Sequence, residues 1–279
     1  MKLTHDQIAE YRERGFLMFP SLVSADELKV LSRDLTDLVA CDADGIIKET
    51  TGAVRSVFRV HSLNGPTGLA SYDALARIPR ILGPIGQLLE DEQVYVYHTK
   101  CNLKAAIQGE IWQWHQDFGY WQTDGVRAAE GMATAMLMLS EATEIGGCLY
   151  FIPGSHKHGR IDPTLDETTT SYKLWTVPKS DLISMMERYG DPVPIVGEPG
   201  TVVIFHPHIV HGSGHNMSRY SRWHVYTVYN RSSNKPVPQG TPRPEWVVSR
   251  DYTPITMGSD ADILETAGSH VRRQAFRQR

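Results

Sequence analysis

Cysteine is scarce in this chain. The three present, Cys41, Cys101 and Cys148, are odd in number, far apart and without a CxxC pair. Neither a disulfide framework nor a zinc–thiolate site is expected, and a reducing compartment fits. Long apolar runs are missing as well. No stretch approaches the roughly eighteen apolar residues that span a bilayer. The opening Met-Lys-Leu-Thr-His-Asp-Gln lacks the apolar core of a secretory signal. The expectation is a cytoplasmic protein without a membrane partner. An excess of positive charge is absent too: the net charge is -4, with both signs interspersed. That gives no electrostatic footprint for nucleic acid, which normally needs a basic patch or stripe, and no nucleic-acid partner is expected. No internal repeat or low-complexity tract occurs, and nothing fixes an oligomeric state.

What is present is an ordinary globular composition, 279 residues with 41% apolar and 22% charged, which predicts a packed core in one domain. Thr4 with Gln7, and Ser24 with Glu27, read as capping boxes. The first opens a short helix stopped by Gly15, the second a helix to about Ala40 with Leu28, Leu31, Leu35 and Leu38 on one face. Between them Phe16 to Pro20 reads as a buried strand. Helical spacing returns from Ser71 to Glu90, with Pro79 and Pro84 expected to kink or divide it. From Val94 the pattern changes to short apolar or alternating runs: Val94-Tyr-Val-Tyr, Gly131 to Leu139, Cys148 to Ile152, Thr201 to Phe205 and Arg222 to Tyr229. With turn signals at Gly146-Gly147, Pro153-Gly154 and Pro199-Gly200, these predict antiparallel sheets rather than βαβ units. The expected fold is mainly β with flanking helices around a jelly-roll core. Residues 1–92 are read as a largely helical part, 93–232 as most of the core and 233–279 as a C-terminal extension. The stretch from Lys157 to Pro194 reads as polar and partly helical, and Ser232 to Pro244 as a surface loop.

The chemistry starts at Trp114-His115-Gln116-Asp117. In an extended chain a His-x-Asp turns an imidazole nitrogen and a carboxylate oxygen to the same side, two legs of a facial metal triad. An isolated His-x-Asp is more often a strand end that caps a turn, so a third ligand is required. The run Gly200-Thr-Val-Val-Ile-Phe-His-Pro-His-Ile-Val-His211-Gly-Ser213 carries a buried strand into a histidine-rich loop. His211 is preferred for its His-x-Ser continuation and the downstream Arg222; His208 is the main rival, with His206 and His215 close by. Two imidazoles and a carboxylate leave adjacent positions open on iron(II) for a bidentate co-substrate and oxygen, whereas zinc favours a closed tetrahedron. Arg222, with Arg219 as fallback, offers a planar fork for the far carboxylate of a 2-oxo acid.

Trp-His115-Gln-Asp117-Phe-Gly-Tyr-Trp, Gly-Gly-Cys-Leu-Tyr-Phe-Ile-Pro-Gly-Ser-His156 and His211-Gly-Ser-Gly-His-Asn216-Met-Ser218-Arg-Tyr-Ser-Arg222 together resemble the phytanoyl-CoA dioxygenase family of iron(II)/2-oxoglutarate oxygenases, in its bacterial ectoine-hydroxylase-like branch. The resemblance spans most of the chain and implies a double-stranded β-helix, the cupin-like variant of the jelly roll. It implies iron on His115, Asp117 and His211, and 2-oxoglutarate as co-substrate with O2. Ser213 and Arg222 then engage the far carboxylate of 2-oxoglutarate, and Asn102 and Lys104 also face it. The segment Arg55-Ser56-Val57-Phe58-Arg59-Val60-His61 is similar to one lining the family's substrate cavity. His98 stands where ectoine hydroxylases have Gln.

Phe118, Tyr120 and Trp121 follow the metal motif directly and are substrate-side candidates, though core packing explains them equally well. A cluster of Trp, Tyr and Arg suits a cationic or zwitterionic small molecule. Hydroxylation is expected rather than halogenation, since halogenating relatives lack the carboxylate that Asp117 supplies. The competing reading is a non-oxygenase cupin-like protein holding a metal or sugar through His206, His208 and His211.

Overall fold

The structure, a computed structural model, describes residues 1–49, 51–167, 174–238, 240 and 243–268. The two capping boxes form as expected. Thr4 caps α1 (His5–Arg14), which ends where Gly15 takes the left-handed φ of 84°. After β1 (Phe16–Phe19), Ser24 caps α2 (Ala25–Val39). Ser24 Oγ accepts from Glu27 N at 3.4 Å, and the Glu27 carboxylate accepts from Ser24 N at 2.8 Å. Glu27 is buried and also pairs with Arg80, so this cap ties the helix to its neighbours. Ser24→Ala is expected to cost about 1 kcal/mol of stability, read from the urea unfolding midpoint.

Strands β2 (Ile46–Lys48) and β3 (Val54–Phe58) follow, then α3 (Ala70–Arg77) and α4 (Pro79–Leu89). Pro79 divides the helical stretch by starting α4, where its missing N–H costs nothing. Pro84 lies inside α4 without ending it. The remaining strands are β4 (Val94–Lys104), β5 (Trp112–His115), β6 (Met132–Met138), β7 (Leu149–Phe151), β8 (Thr164–Asp166), β9 (Leu174–Thr176), β10 (Val193–Ile195), β11 (Val202–Phe205), β12 (His211–Ser213) and β13 (Arg222–Arg231). Helices α5 (Phe118–Thr123), α6 (Lys179–Tyr189) and α7 (Asp262–Glu265) intervene or follow.

A large antiparallel sheet runs β1-β11-β6-β13-β4-β3-β2 and a small one β10-β7-β12-β5. Strands β4 to β7 alternate between the sheets and β10 to β13 do so again, which is the winding of a double-stranded β-helix. The N-terminal part is therefore not only a helical layer, because β1, β2 and β3 extend both edges of the large sheet. Leu31, Leu35, Ile78 and Ile85 pack the helices on the outer face of that sheet, against Val57, Cys101, Val225 and Tyr229. Phe16, Met136, Leu149, Phe151 and Phe205 form a second cluster drawn from both sheets.

One irregularity positions the site. The register of β13 against β4 jumps from Val228↔His98 to Tyr229↔Val96, so Tyr97 and His98 share one step. Such a bulge re-aims side chains. His98, Lys100 and Asn102 all face the interior, and Tyr97 also reaches it, edge-on to Trp121.

Candidate metal centre

Strands β5 and β12 pair with His115 directly opposite His211. The two rings lie 4.2 Å apart between centroids at 48°. Each ring faces, through Nδ1, the backbone carbonyl two residues earlier: His115 to Gln113 O at 2.6 Å, His211 to Ile209 O at 3.0 Å. A proton donated from Nδ1 leaves the lone pair on Nε2, the orientation metal-binding histidines use. Asp117 completes the group, its Oδ1 lying 3.7 Å from His115 Nε2 and 4.0 Å from His211 Nε2. One ligand atom from each residue lies within 4.8 Å of the others. Burial, then the neighbouring His211, holds the His115 imidazole well below its ordinary pKa, so it stands unprotonated and able to ligate. Among the described residues no fourth His, Cys, Asp or Glu joins them. Two imidazoles and one carboxylate on one side fit iron(II) with open positions.

The residue between the first two ligands fixes their angle. Gln116 is buried; its Nε2 donates to His208 O at 2.7 Å and Gly159 O at 2.9 Å, and its Oε1 accepts from Ile161 N at 2.9 Å. Phe118 N donates to Pro207 O, turning the chain into α5. Gly212 is needed between His211 and Ser213, where a Cβ would meet Trp112 O at 3.0 Å. Gln116→Ala strands three backbone groups and is expected to weaken iron(II) binding by about 10- to 100-fold, measured by anaerobic metal titration.

His208 and His206 are not members of the ligand group. They pack with each other and His156, ring centroids 5.5 and 5.2 Å apart, and Phe118 meets His208 edge-on at 5.0 Å.

The cavity that the three ligands open into is also lined by Asn102, Ser213, Arg222 and Tyr226 and by His98, Lys100 and Trp112. Arg222, at the start of β13, is 2% exposed. Its guanidinium donates to Gly147 O, its Nε is buried without a partner, and no carboxylate among the described residues pairs with it. A guanidinium so placed lacks its anion. Lys104 sits opposite Arg222 in register but is not among the residues lining the cavity. The lysine that does line it, next to Asp117, is Lys100, with Nζ 4.0 Å over the Trp112 ring and 5.4 Å from that of Phe58. Burial, then Arg55, pushes Lys100 down to about 7, against the pull of Asp117. Lys100, Trp112 and Tyr226 were not singled out from the sequence, although the two-residue period of β4 places Lys100 on the face of Asn102.

The expected substrate-side residues divide. The Arg55 guanidinium lies 4.4 Å over Trp112, Ser56 Oγ donates to Asn102 Oδ1 at 3.0 Å, and Phe58 stacks on His98 at 6.4 Å. His98 is buried with Nδ1 unpartnered and Trp121 edge-on at 5.9 Å. Tyr120 faces β9, its hydroxyl accepting from Trp175 N at 2.7 Å. His61 is placed elsewhere. Its Nδ1 meets Thr99 Oγ1 at 2.9 Å, and it lines a separate cavity with Arg77 and Asp251 because Thr99 faces away from His98 and Lys100. No helix among the described residues is long and apolar enough to cross a membrane.

The profile described as "Phytanoyl-CoA dioxygenase (PhyH)" matches residues 11–223. Ectoine dioxygenase of Bordetella bronchiseptica is 30% identical over 262 residues, 89% of this chain and 83% of its own. L-proline trans-4-hydroxylase of Streptomyces griseoviridis is 30% identical over 269 residues, 93% and 97% of the two chains. The crystal structure of EctD from S. alaskensis with bound Fe superposes with a TM-score of 0.78 at 28% identity, covering 92% of this chain and 88% of that one. The same enzyme with 2-oxoglutarate and 5-hydroxyectoine gives a TM-score of 0.77 over the same shares.

Proposed function

The chain belongs to the phytanoyl-CoA dioxygenase family and is an iron- and 2-oxoglutarate-dependent dioxygenase, and on that premise we propose that it hydroxylates an unactivated C–H bond of a small zwitterionic metabolite. His115, Asp117 and His211 hold the iron. Arg222, Ser213 and Asn102 receive 2-oxoglutarate. Bound together, iron(II), 2-oxoglutarate and O2 supply the oxidation, with succinate and CO2 released. The protein's part is to bind, orient and exclude water.

The observation that carries the substrate class is the wall facing Asp117. Lys100 and Arg55 both stack on Trp112, and Phe58, His98 and Trp121 form an aromatic flank. A carboxylate or phosphonate suits the cations, and an alkylated or cyclic ammonium suits the rings. Amino acids, compatible solutes, aminophosphonates and quaternary amines share that chemistry; the similar proteins named above act on ectoine and L-proline. Free cysteines, two of them buried, support a cytoplasmic enzyme. The chain works as a single domain in which residues 243–268 brace the wall through Arg243 on Asp124 and Trp246 on Phe58.

The test is an anaerobic titration of metal-free protein with iron(II) and 2-oxoglutarate, followed by succinate assays over a panel of such zwitterions. A visible charge-transfer band that a zwitterion perturbs, with matching succinate release, is the expected result. A band with no response to any zwitterion, but with turnover of a neutral or bulky compound, would overturn the substrate class.

A further inference from the structure

A second cavity, of about 220 Å³ against about 60 Å³ beside the metal ligands, lies on the other side of β4. The bulge at Tyr97 and His98 leaves both Val96 and Thr99 on that outer side. Backbone bonds fix the frame. Ser249 N donates to Tyr97 O at 3.0 Å, Ile255 N to Val94 O at 2.8 Å and Gly258 N to Arg77 O at 3.0 Å, which pins the segment 249–255 between β4 and α3. Across from it, Leu69 N donates to Val60 O at 2.8 Å and closes the loop that carries His61. Arg59 opens that loop at a φ of +58°, held there by bonds from its guanidinium to Glu245 O at 2.5 Å and Ser62 Oγ at 2.8 Å.

Three side chains of different charge line this cavity with hydrogen-bonding capacity to spare. Arg77, on α3, donates from Nε to Asp73 Oδ1 at 2.9 Å, and its two terminal nitrogens make no hydrogen bond among the described residues. His61 turns Nδ1 to Thr99 Oγ1 at 2.9 Å, which leaves Nε2 for the cavity. Burial, then Arg59 and Arg77, push this imidazole down to about 3 against the pull of Asp251, so it is neutral. The Asp251 carboxylate accepts only from Thr253 among the described residues, from its N at 3.0 Å, and a carboxylate has sites for about four such bonds. We infer that this cavity is a second ligand site, for a small zwitterion of amino-acid type, with the fork of Arg77 on its carboxylate and Asp251 on its ammonium. The space is many times the roughly 10–15 Å³ that one water needs. The paired terminal nitrogens of an arginine match a carboxylate. An anion alone would also meet Asp73 and Asp251, and a cation alone would meet Arg77; a molecule with both charges is matched at both ends. The site shares no lining residue with the cavity at the metal centre.

The test is a count of bound zwitterions. Equilibrium dialysis with radiolabelled glycine, L-proline and glycine betaine, on protein loaded with Mn(II) and 2-oxoglutarate, gives the number bound per chain for the parent, His61→Phe, Arg77→Gln and Asp251→Asn. His61→Phe is expected to bind one molecule fewer than the parent of at least one probe. Arg77→Gln and Asp251→Asn should weaken that same site by about 10- to 100-fold, as loss of a hydrogen bond between charged groups does, with 2-oxoglutarate affinity unchanged in Asp251→Asn. Only the difference between variants is read, so the count does not depend on whether the cavity at the metal centre takes a zwitterion. An equal count in the parent and His61→Phe for every probe would overturn the inference. So would succinate or glycerol competing for the site as well as the zwitterions do, since one charge or none would then suffice. Should His61→Phe not fold, Asp251→Lys, a change at an exposed position, sets a cation against the ammonium and is expected to remove the same molecule; an unchanged count there overturns the inference.

Discussion

Asp117→Ala is expected to lower succinate formation by about a thousandfold or more, the scale on which one member of a cooperating catalytic set acts, with the fold retained. Asp117 is the partly exposed member of the ligand group and heads α5 without a side-chain capping bond. Its removal therefore cuts no structural hydrogen bond at the helix start. What it removes is the only negative charge in the group. Two imidazoles remain, and a divalent ion held by those alone keeps its charge uncompensated in a buried site. The measurement is the anaerobic charge-transfer band together with the thermal midpoint. A lost or weakened band with an unchanged midpoint is the expected pair. Parent-like turnover would show that the metal is held elsewhere.

Arg222→Met is expected to move stability and binding in opposite directions. The guanidinium is buried with one carbonyl partner and an unsatisfied Nε, so the empty protein bears the cost of desolvating a charge. Replacing such a group by an apolar one of similar size commonly stabilises by about 1–4 kcal/mol, a rise of several degrees in the thermal midpoint. The 2-oxoglutarate dissociation constant should rise by about a hundredfold, since truncating one partner of a buried charge pair costs about 2–5 kcal/mol. Paired melts with and without co-substrate test both halves. If the apoprotein were destabilised instead, Arg222 would be a structural residue with a counter-charge of its own.

The sequence was most readable where a local rule has a single physical meaning. Thr4-x-x-Gln7 and Ser24-x-x-Glu27 each satisfy two helix-end groups reciprocally, and both formed. The apolar runs of β6 and β11 and the alternation of β13 announced themselves by composition. Strands β12 and β5 did not, because His-Gly-Ser and Trp-Gln-Trp-His carry no apolar alternation; they are strands only because the small sheet pairs them. Strand β3 carries no apolar alternation at Arg55 and Ser56 either, and it is a strand because β4 pairs with it.

The metal ligands were legible because His-x-Asp and a distant strand-end histidine are rare in combination. The choice of His211 over His208 rested on flanking residues, and the geometry groups His211 with His115 and Asp117. Lysines were harder. Lys100 and Lys104 both share the inward parity of β4, yet only Lys100 lines the cavity, because Lys104 is drawn aside by Ser213, Gly214 and Gly147. His61 was unreadable in another way: the chain leaves β3 through Arg59 at a φ of +58°, which carries His61 to the far face of the sheet.

The buried guanidinium of Arg222 beside Gly147 also bears on how long a molecule of this enzyme survives. An empty site that holds Arg222 without an ion-pair partner among the described residues disfavours the folded chain, and an anion that enters it adds stability by mass action. At a hundred times its dissociation constant that gain is about 2.7 kcal/mol, enough to cut the transiently unfolded population, on which proteases act, by roughly a hundredfold. Resistance to proteolysis should then rise with the concentration of 2-oxoglutarate, which timed digests with and without it would read directly.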